Sequence, residues 1–490
     1  MIKKNMIADA PKGYRLLILL VIFGVLVAIF SIIGSNIVFS EEESTDIDAS
    51  TIYLPFASEG SLPLICRFGV NVISPISDFD IRPLRVGWYA DYASRENPAR
   101  PHGVKYVQTI RFSQNGDDYI ANRSNAQIID AVTANPGSEW LIGNEPDRRD
   151  FQDDLEPHVY AKAYHDMYAL IKGEDPTAQI FAGTIVQPTP VRLTYLDMVL
   201  DAYQTNYGES MPVDGWSIHN FILNEVSCEY DSSNCWGAEI PPGVNEPFGE
   251  VLAIDDNDNI VLFQERIERF RQWMADRGYA GLPLHLTEYG ILMPDWLGFD
   301  DVRVNTFMNA SFDYMLSATD PVLGDPNDAH KLIQRFSWYS TGSDSDVYNG
   351  YLFDSDTKQL SPMGINYANY TAAITSETDL YAPDVASESV SGDSVIITAT
   401  IANSGNLNPL SHPAVIRFYD GNPAASGVQI GPDQFVSLSG CGNTQSVQIL
   451  WENIAVGSHK VYVVVDALDR ISETNENNNI NQQLTITINP

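Results

Sequence analysis

Positive charge is what this chain has least of. Only 28 Lys and Arg stand against 64 Asp and Glu in 490 residues, a formal net charge of -36. That excludes nucleic acid as the main partner, because a phosphate backbone is held by Lys and Arg. Cysteine is scarce as well: Cys66, Cys228, Cys235 and Cys441, with no C-x-x-C pair, so the usual ligand spacing of a structural zinc site is missing. A Gly-rich phosphate loop is also absent. Arg67-Phe68-Gly69-Val70-Asn71, in the first apolar run, has no such pattern, which counts against a doubly wound nucleotide-binding sheet. Collagen-like or disordered bias is lacking, and 44% of residues are hydrophobic. The chain is too long for one ordinary core, so at least two domains are expected.

The longest apolar run decides the expected compartment. Lys3, Lys4, Lys12 and Arg15 precede an apolar stretch at 16–33. At 1.5 Å per residue it spans roughly 27 Å, close to the hydrocarbon thickness of a bilayer. Flanking positive charge keeps its N-terminal side in the cytoplasm. Residues 1–40 therefore read as a cytoplasmic tip and transmembrane signal-anchor, and the acidic, Ser-rich 41–61 as a linker outside the cell. Val38-Phe39-Ser40 also makes a tolerable cleavage site, so secretion stays open. In an extracellular setting Cys228 and Cys235, close together in a polar stretch, read as a local disulfide.

From 62 to 375, short apolar runs alternate with amphipathic segments. The runs at 65–72, 84–89, 105–112, 140–144, 179–186, 215–221, 284–289 and 333–339 read as strands. The clearest helices are predicted at 159–171, 261–274 and 302–316. Such alternation makes an α/β fold with a parallel sheet, and about eight units suit a (β/α)8 TIM barrel. Beyond a boundary near 376–383 the helical period disappears. The runs at 395–401, 414–419, 446–451 and 460–465, separated by Gly, Asn and Pro, predict an all-β, immunoglobulin-like sandwich over 383–490.

Two carboxylates stand where such a barrel does its chemistry, at the carboxyl ends of strands. Glu145 follows the fourth run in Leu-Ile-Gly-Asn144-Glu145-Pro146, and Glu288 ends the seventh in His-Leu-Thr-Glu288-Tyr289-Gly290. Each is closed by a breaker, Pro146 or Gly290. A pair of carboxyl groups flanking one bond is what glycoside hydrolysis requires. Each glutamate alone reads equally as a solvated or ion-paired strand end. His219, Trp338 and the pair Trp88-Tyr89 also fall at predicted strand ends, and aromatic rings there would cover the C–H face of a sugar. Packing in the core is the alternative for each.

Asn-Glu-Pro on the fourth strand and Thr-Glu-Tyr-Gly on the seventh resemble clan A of the retaining glycoside hydrolases. The resemblance covers roughly residues 65 to 375. It implies that Glu145 is the general acid/base, that Asn144 bonds the sugar 2-hydroxyl and that Glu288 is the nucleophile. It further implies Trp338 as the floor of the central subsite, with a cis bond to Tyr339. Tyr289, next to Glu288, is a candidate to bond the nucleophile's carboxylate. An arginine that keeps the nucleophile ionised is expected, with Arg67 and Arg111 as candidates. The string Leu-Ile-Gly-Asn-Glu-Pro-Asp is also similar to a clan-A family of endo-β-1,3-glucanases, which implies an extracellular polysaccharide or oligosaccharide, a β-glucan among them, as substrate. No cofactor is implied at this site. The other class of function open to such a chain is a non-catalytic surface protein that binds carbohydrate or mediates adhesion.

The tail carries Asp466, Asp469, Glu473, Glu476 and a run of Asn at 477–479. With the Asn-Ser-Gly-Asn turn at 403–406, this resembles the CARDB adhesion-type sandwich of prokaryotic surface proteins. Its oxygens can hold Ca²⁺. A polar hairpin between two strands is the alternative.

Overall fold

The computed structural model describes residues 62–342, 347–406 and 412–488. The expected transmembrane anchor and linker lie outside them. No helix among the described residues is long and apolar enough to cross a membrane. In chain order the barrel-type part consists of β1 (Phe68–Asn71), β2 (Trp88–Ala90), β3 (Lys105–Tyr106), β4 (Gln108–Ile110), β5 (Phe112–Asn115), β6 (Asp118–Ala121), α1 (Asn125–Ala134), β7 (Glu139–Ile142), α2 (Pro157–Glu174), β8 (Gln179–Ile185), α3 (Pro190–Tyr207), β9 (Gly215–His219), α4 (Ile260–Asp276), β10 (Leu284–Tyr289), α5 (Asp301–Ser317), β11 (Arg335–Trp338) and α6 (Pro362–Ala372). The described chain forms two compact units, one from 110–257 and one from 62–109 with 258–488.

In the first unit the strands run in the order β9-β8-β7. β7 and β8 pair in parallel, as do β8 and β9. The helices start where local chemistry tells them to. Ser124 caps α1 in a reciprocal capping box with Gln127. Pro157 and Pro190 occupy the first turns of α2 and α3, where a missing N–H costs nothing. α2 buries Tyr160, Tyr164, Met167 and Ile171, spaced three and four apart on one face. β5 and β6 form an antiparallel hairpin that apolar periodicity did not reveal.

In the second unit the order is β3-β2-β1-β11-β10, all parallel. The asparagine cap at α4 is Asn259, whose side chain accepts from Val261 and Leu262 N–H. α4 buries Phe263, Ile267, Phe270 and Met274. The α/β class and its strand–helix alternation are as expected, with local differences. The predicted third strand divides into β3, β4 and β5. The first two predicted strands begin late, because Leu64–Arg67 and Arg82–Leu84 wind as single 3-10 turns behind Pro63 and around Pro83.

The same unit holds the C-terminal sandwich. Its strands are β12 (Leu380–Ser391), β13 (Ser394–Asn403), β14 (Ala414–Asp420), β15 (Val428–Val436), β16 (Asn443–Trp451), β17 (Gly457–Val464) and β18 (Ile480–Ile488). One sheet is β12-β13-β16 and the other β15-β14-β17-β18. Alternate residues such as Ile397, Ala399, Ile401, Ile416, Phe418, Val461 and Val463 are buried in one core, as period-two patterning requires. A disulfide joins Cys66, just before β1, to Cys441, just before β16, with a Cα separation of 5.3 Å. That pair is 375 residues apart in sequence, so no local spacing signals it. Asn443 Nδ2 donates to Gly103 O at 3.0 Å beside it. Cys228 and Cys235 form the expected local disulfide, with a Cα separation of 4.9 Å.

Candidate active site

The loop after β7 sets the first carboxylate. Gly143 has φ +90°, and a Cβ there would stand 3.1 Å from the Tyr160 ring, so only glycine fits without a shift. Tyr160 donates its hydroxyl to Ile142 O at 2.7 Å and accepts from Gly183 N at 3.2 Å, which ties α2 to the ends of both strands. Asn144 N donates to Asp153 Oδ2 at 2.8 Å. Glu145 itself sits at φ +46°, a left-handed backbone unusual outside glycine, and its N–H donates to Thr184 O at 2.9 Å. Backbone strain of this kind gathers at sites where position matters more than stability.

The Glu145 side chain is buried and held at both oxygens. His219 Nδ1 lies 3.0 Å from Oε1, and Arg148 Nη1 donates to Oε2 at 3.1 Å. Burial alone pushes the carboxyl up. The Arg148 charge and the His219 hydrogen bond outweigh it and hold the group down at about 2. This is opposite to the raised value expected of a resting general acid. The cause is Arg148, three residues along the same loop, whose role the sequence pattern did not signal.

Two buried networks brace this loop. Asp153 accepts from Arg111 Nε at 2.6 Å and from Phe112 N at 3.1 Å, besides Asn144 N. Burial still raises its carboxyl above the ordinary value, against the pull of Arg111. Asp147 accepts from Arg192 Nη1 at 2.5 Å, and Arg192 Nε donates to Glu225 Oε1 at 2.7 Å. All three of those side chains are fully buried. Arg192 also donates to Ala238 O and Glu239 O. The loop 224–250 is thus fastened to the residue next but one to Glu145. On that loop Tyr230 and Phe248 are exposed aromatics with ring centroids 5.9 Å apart.

In the second unit Glu288 occupies β10 and is buried. Asn71 Nδ2, from the end of β1, donates to Thr287 O at 3.1 Å and its Oδ1 accepts from Ser337 Oγ at 2.9 Å. Tyr289 does not share the side of Glu288, because successive strand residues point to opposite faces. Its ring is fully buried against Phe263 of α4, 5.3 Å between centroids, and its hydroxyl accepts from Ser311 Oγ of α5 at 3.4 Å. Burial raises its phenol well above the usual range. Trp338 packs edge-on against Tyr289 at 5.3 Å and donates Nε1–H to Gly350 O at 2.7 Å; it is fully buried and leaves no ring face open to a sugar. The cis peptide bond lies one step later than expected, between Tyr339 and Ser340. Trp88 opens β2 rather than ending it, and is buried over Gly69 with Nε1–H donated to Arg67 O at 3.1 Å. Neither its position nor its burial suits a rim. Arg67 precedes β1, at the end away from Asn71, and makes a buried pair with Asp328 at 2.5 Å.

In the tail the carboxylates are engaged by protein donors. Glu473 accepts from Leu380 N and from Asn479 Nδ2, Asp379 accepts from Ser404 Oγ and Asn478 Nδ2, and Asp466 accepts from Arg470 and Ile471 N–H. Burial, with Glu476 and Asp466 nearby, lifts Glu473 to about 7.

Residues 377–483 match the family model described as CARDB. No curated protein matches the chain. Solved structures similar to it include a glucosidase from Croceicoccus marinus, 14% identical with a TM-score of 0.41, covering 80% of this chain and 95% of that one. A monomeric beta-xylosidase from Caulobacter crescentus CB15 is 12% identical with a TM-score of 0.42, covering 81% and 98%. The CARDB domain of a Pyrococcus furiosus protein in complex with di-metal ions is 18% identical with a TM-score of 0.20, covering 23% and 94%.

Proposed function

We propose that this chain is a retaining glycoside hydrolase that cleaves an extracellular polysaccharide or oligosaccharide. Glu145 is its acid/base and Glu288 its nucleophile. The observation that carries this reading is the buried carboxylate of Glu145 on a strained backbone at the end of β7, with Asn144 beside it and His219, from the end of β9, against it. Left-handed backbone at a residue other than glycine gathers at functional sites, where position matters more than local stability. Asn144 bonds the sugar 2-hydroxyl, with its backbone fixed by Asp153. His219 orients the Glu145 carboxyl through Oε1.

Both disulfides, which account for all four cysteines, support an oxidising compartment. We therefore place the catalytic part outside the cell, tethered by the apolar segment at 16–33, with the CARDB domain on the same side. One observation favours the non-catalytic, carbohydrate-binding reading instead: a carboxyl held at about 2 is not an acid at neutral pH.

Product analysis on a polysaccharide panel separates the two readings. Glu288→Gln should abolish turnover on every substrate while leaving binding. Glu145→Ala should lose about 10²- to 10⁴-fold on substrates with poor leaving groups, and far less on activated aryl glycosides. Azide should partly restore it and give a glycosyl azide. Inverted product, or full activity in Glu288→Gln, would overturn the mechanism.

A further inference from the structure

Guanidinium groups are rare in this chain, yet four attend the loop that carries Glu145. Three are committed to other acceptors. Arg192 is fixed by Asp147 and Glu225. Arg111 is fixed by Asp153 and by Gln152 Oε1 at 2.7 Å, and Arg149 donates to the carbonyls of Ile240 and Pro241 at 3.5 and 3.3 Å. Arg148 differs. Glu145 Oε2 is its hydrogen-bonded acceptor, and its Nε–H is buried with no partner among the described residues. Five N–H donors in a planar fork are therefore poorly used. The side chain is 19% exposed, so it reaches solvent while touching a buried carboxylate.

Next to it stands Phe151, 39% exposed, with the Arg148 guanidinium 5.4 Å from the ring centroid. An open aromatic face suits the C–H side of a pyranose ring. A guanidinium fork suits a planar or tetrahedral anion, which it binds through two parallel N–H bonds. We propose that Arg148 and Phe151 form a subsite for an acidic sugar residue, bearing a carboxylate or a sulfate, so that the substrate is an anionic glycan. This rests on the glycosidase reading and deepens it. In an otherwise strongly acidic chain, the long-range field repels such a substrate, and local arginine is what can hold it.

The arrangement also explains how Glu145 comes to act as an acid. When the sugar's anion takes the Arg148 fork, the carboxyl loses its strongest counter-charge. Burial, the largest influence on it, then acts against His219 alone, with Asp147 on the same loop adding like charge. The proton affinity of Glu145 rises only with the correct substrate in place.

The test uses the full-length chain and two matched pairs. One is a uronic-acid oligosaccharide and its carboxyl-reduced twin; the other is a sulfated oligosaccharide and its desulfated twin. A neutral activated aryl glycoside serves as reference. The wild type should prefer one acidic member over its twin by about 10- to 100-fold in kcat/KM, the range of one charge-assisted hydrogen bond. Arg148→Gln should erase that preference, and Arg148→Lys should keep part of it. Equal kcat/KM within both pairs, or a preference unchanged in Arg148→Gln, overturns the proposal. Glu288-dependent cleavage of the aryl glycoside with no acidic preference sinks this inference and leaves the glycosidase reading standing. Should no glycoside be cleaved, titration calorimetry of the four oligosaccharides into Glu288→Gln still decides. Tighter binding of an acidic member that vanishes with Arg148→Gln upholds the subsite while the enzyme reading fails, and no binding of either acidic member ends the subsite.

Discussion

Glu145→Gln offers a test that needs no knowledge of the substrate. The ordinary carboxyl value is 4.5, and in the fold the group is held at about 2, against the cost of its own burial, by Arg148 and His219. Each tenfold change in proton affinity is worth 1.36 kcal/mol, so the ionised form is favoured by folding by about 3 kcal/mol. The sign follows from linkage. Above pH 4.5 the unfolded carboxyl is ionised too, and the whole contribution is present. Between 4.5 and 2 the unfolded state takes up a proton that the folded state refuses, and the contribution is lost. Glutamine keeps the shape and has no proton to exchange. Urea unfolding at a series of pH values should therefore show the stability difference between the wild type and Glu145→Gln shifting against the wild type by about 3 kcal/mol as pH falls from the 5 to 7 range to 2. Carboxylates distant from Glu145 titrate alike in both proteins and cancel in the difference, whereas Asp147, raised in part by the Glu145 charge, adds a smaller change of its own. Parallel curves across this range would mean that Glu145 is not held ionised by its neighbours. A difference that grows as pH falls would mean that its carboxyl is raised, and Arg148 would lose its role as the counter-charge.

Removing the long-range disulfide by Cys66→Ser with Cys441→Ser should cost about 2–5 kcal/mol, since it closes a very long loop in the unfolded chain, and differential scanning calorimetry should show a lower Tm; an unchanged Tm in oxidising buffer would contradict it. Arg192→Met leaves Asp147 and Glu225 buried without their counter-charge, so unfolding free energy should fall by about 3–5 kcal/mol, whereas a loss below about 1 kcal/mol would show that the carboxylates find other partners. External protease on intact cells should remove the barrel-type part and the sandwich together; protection would show the opposite orientation, and release of soluble protein before any protease would show cleavage of the anchor. Asp153→Asn places an amide N–H against one of the donors that now meet the carboxylate, so kcat on the substrate found should fall about 10-fold or more with KM little changed, and a change in KM alone would assign Asp153 to binding rather than to the position of the loop.

The strands that carry the candidate residues are legible because their signals are local. The apolar runs ahead of Glu145 and Glu288, each closed by a residue that breaks a strand, identify both as strand ends without any tertiary information. The helices at 159–171, 261–274 and 302–316 differ from α2, α4 and α5 by no more than three residues at any boundary, because their periodicity is strong. Adjacency in sequence to Glu288 suggests proximity for Tyr289, while its ring packs on the helix side, onto Phe263 and Ser311. The burial of Trp88 and Trp338 is not legible, because an aromatic residue near a strand end looks the same in sequence whether its ring is open or packed. Phe151 and Arg148 went unnoticed in turn, since a loop carries no period from which to infer which side chains converge.

What the sequence determined by itself was therefore the class of fold, the C-terminal CARDB sandwich, the local Cys228–Cys235 bridge and the place of Glu145 and Glu288 beside strand ends. Each rests on patterns within some ten residues, where backbone period and turn chemistry leave few choices. Only the tertiary structure decided that Cys66 meets Cys441 across 375 residues, that Arg67 belongs to Asp328 and Arg111 to Asp153, and that Glu145 is pressed between His219 and Arg148. Partners distant along the chain are chosen by packing, and the ionisation of a buried carboxyl is set by whichever charges that packing brings within a few ångströms, a quantity that has no period and leaves no mark in the order of the residues.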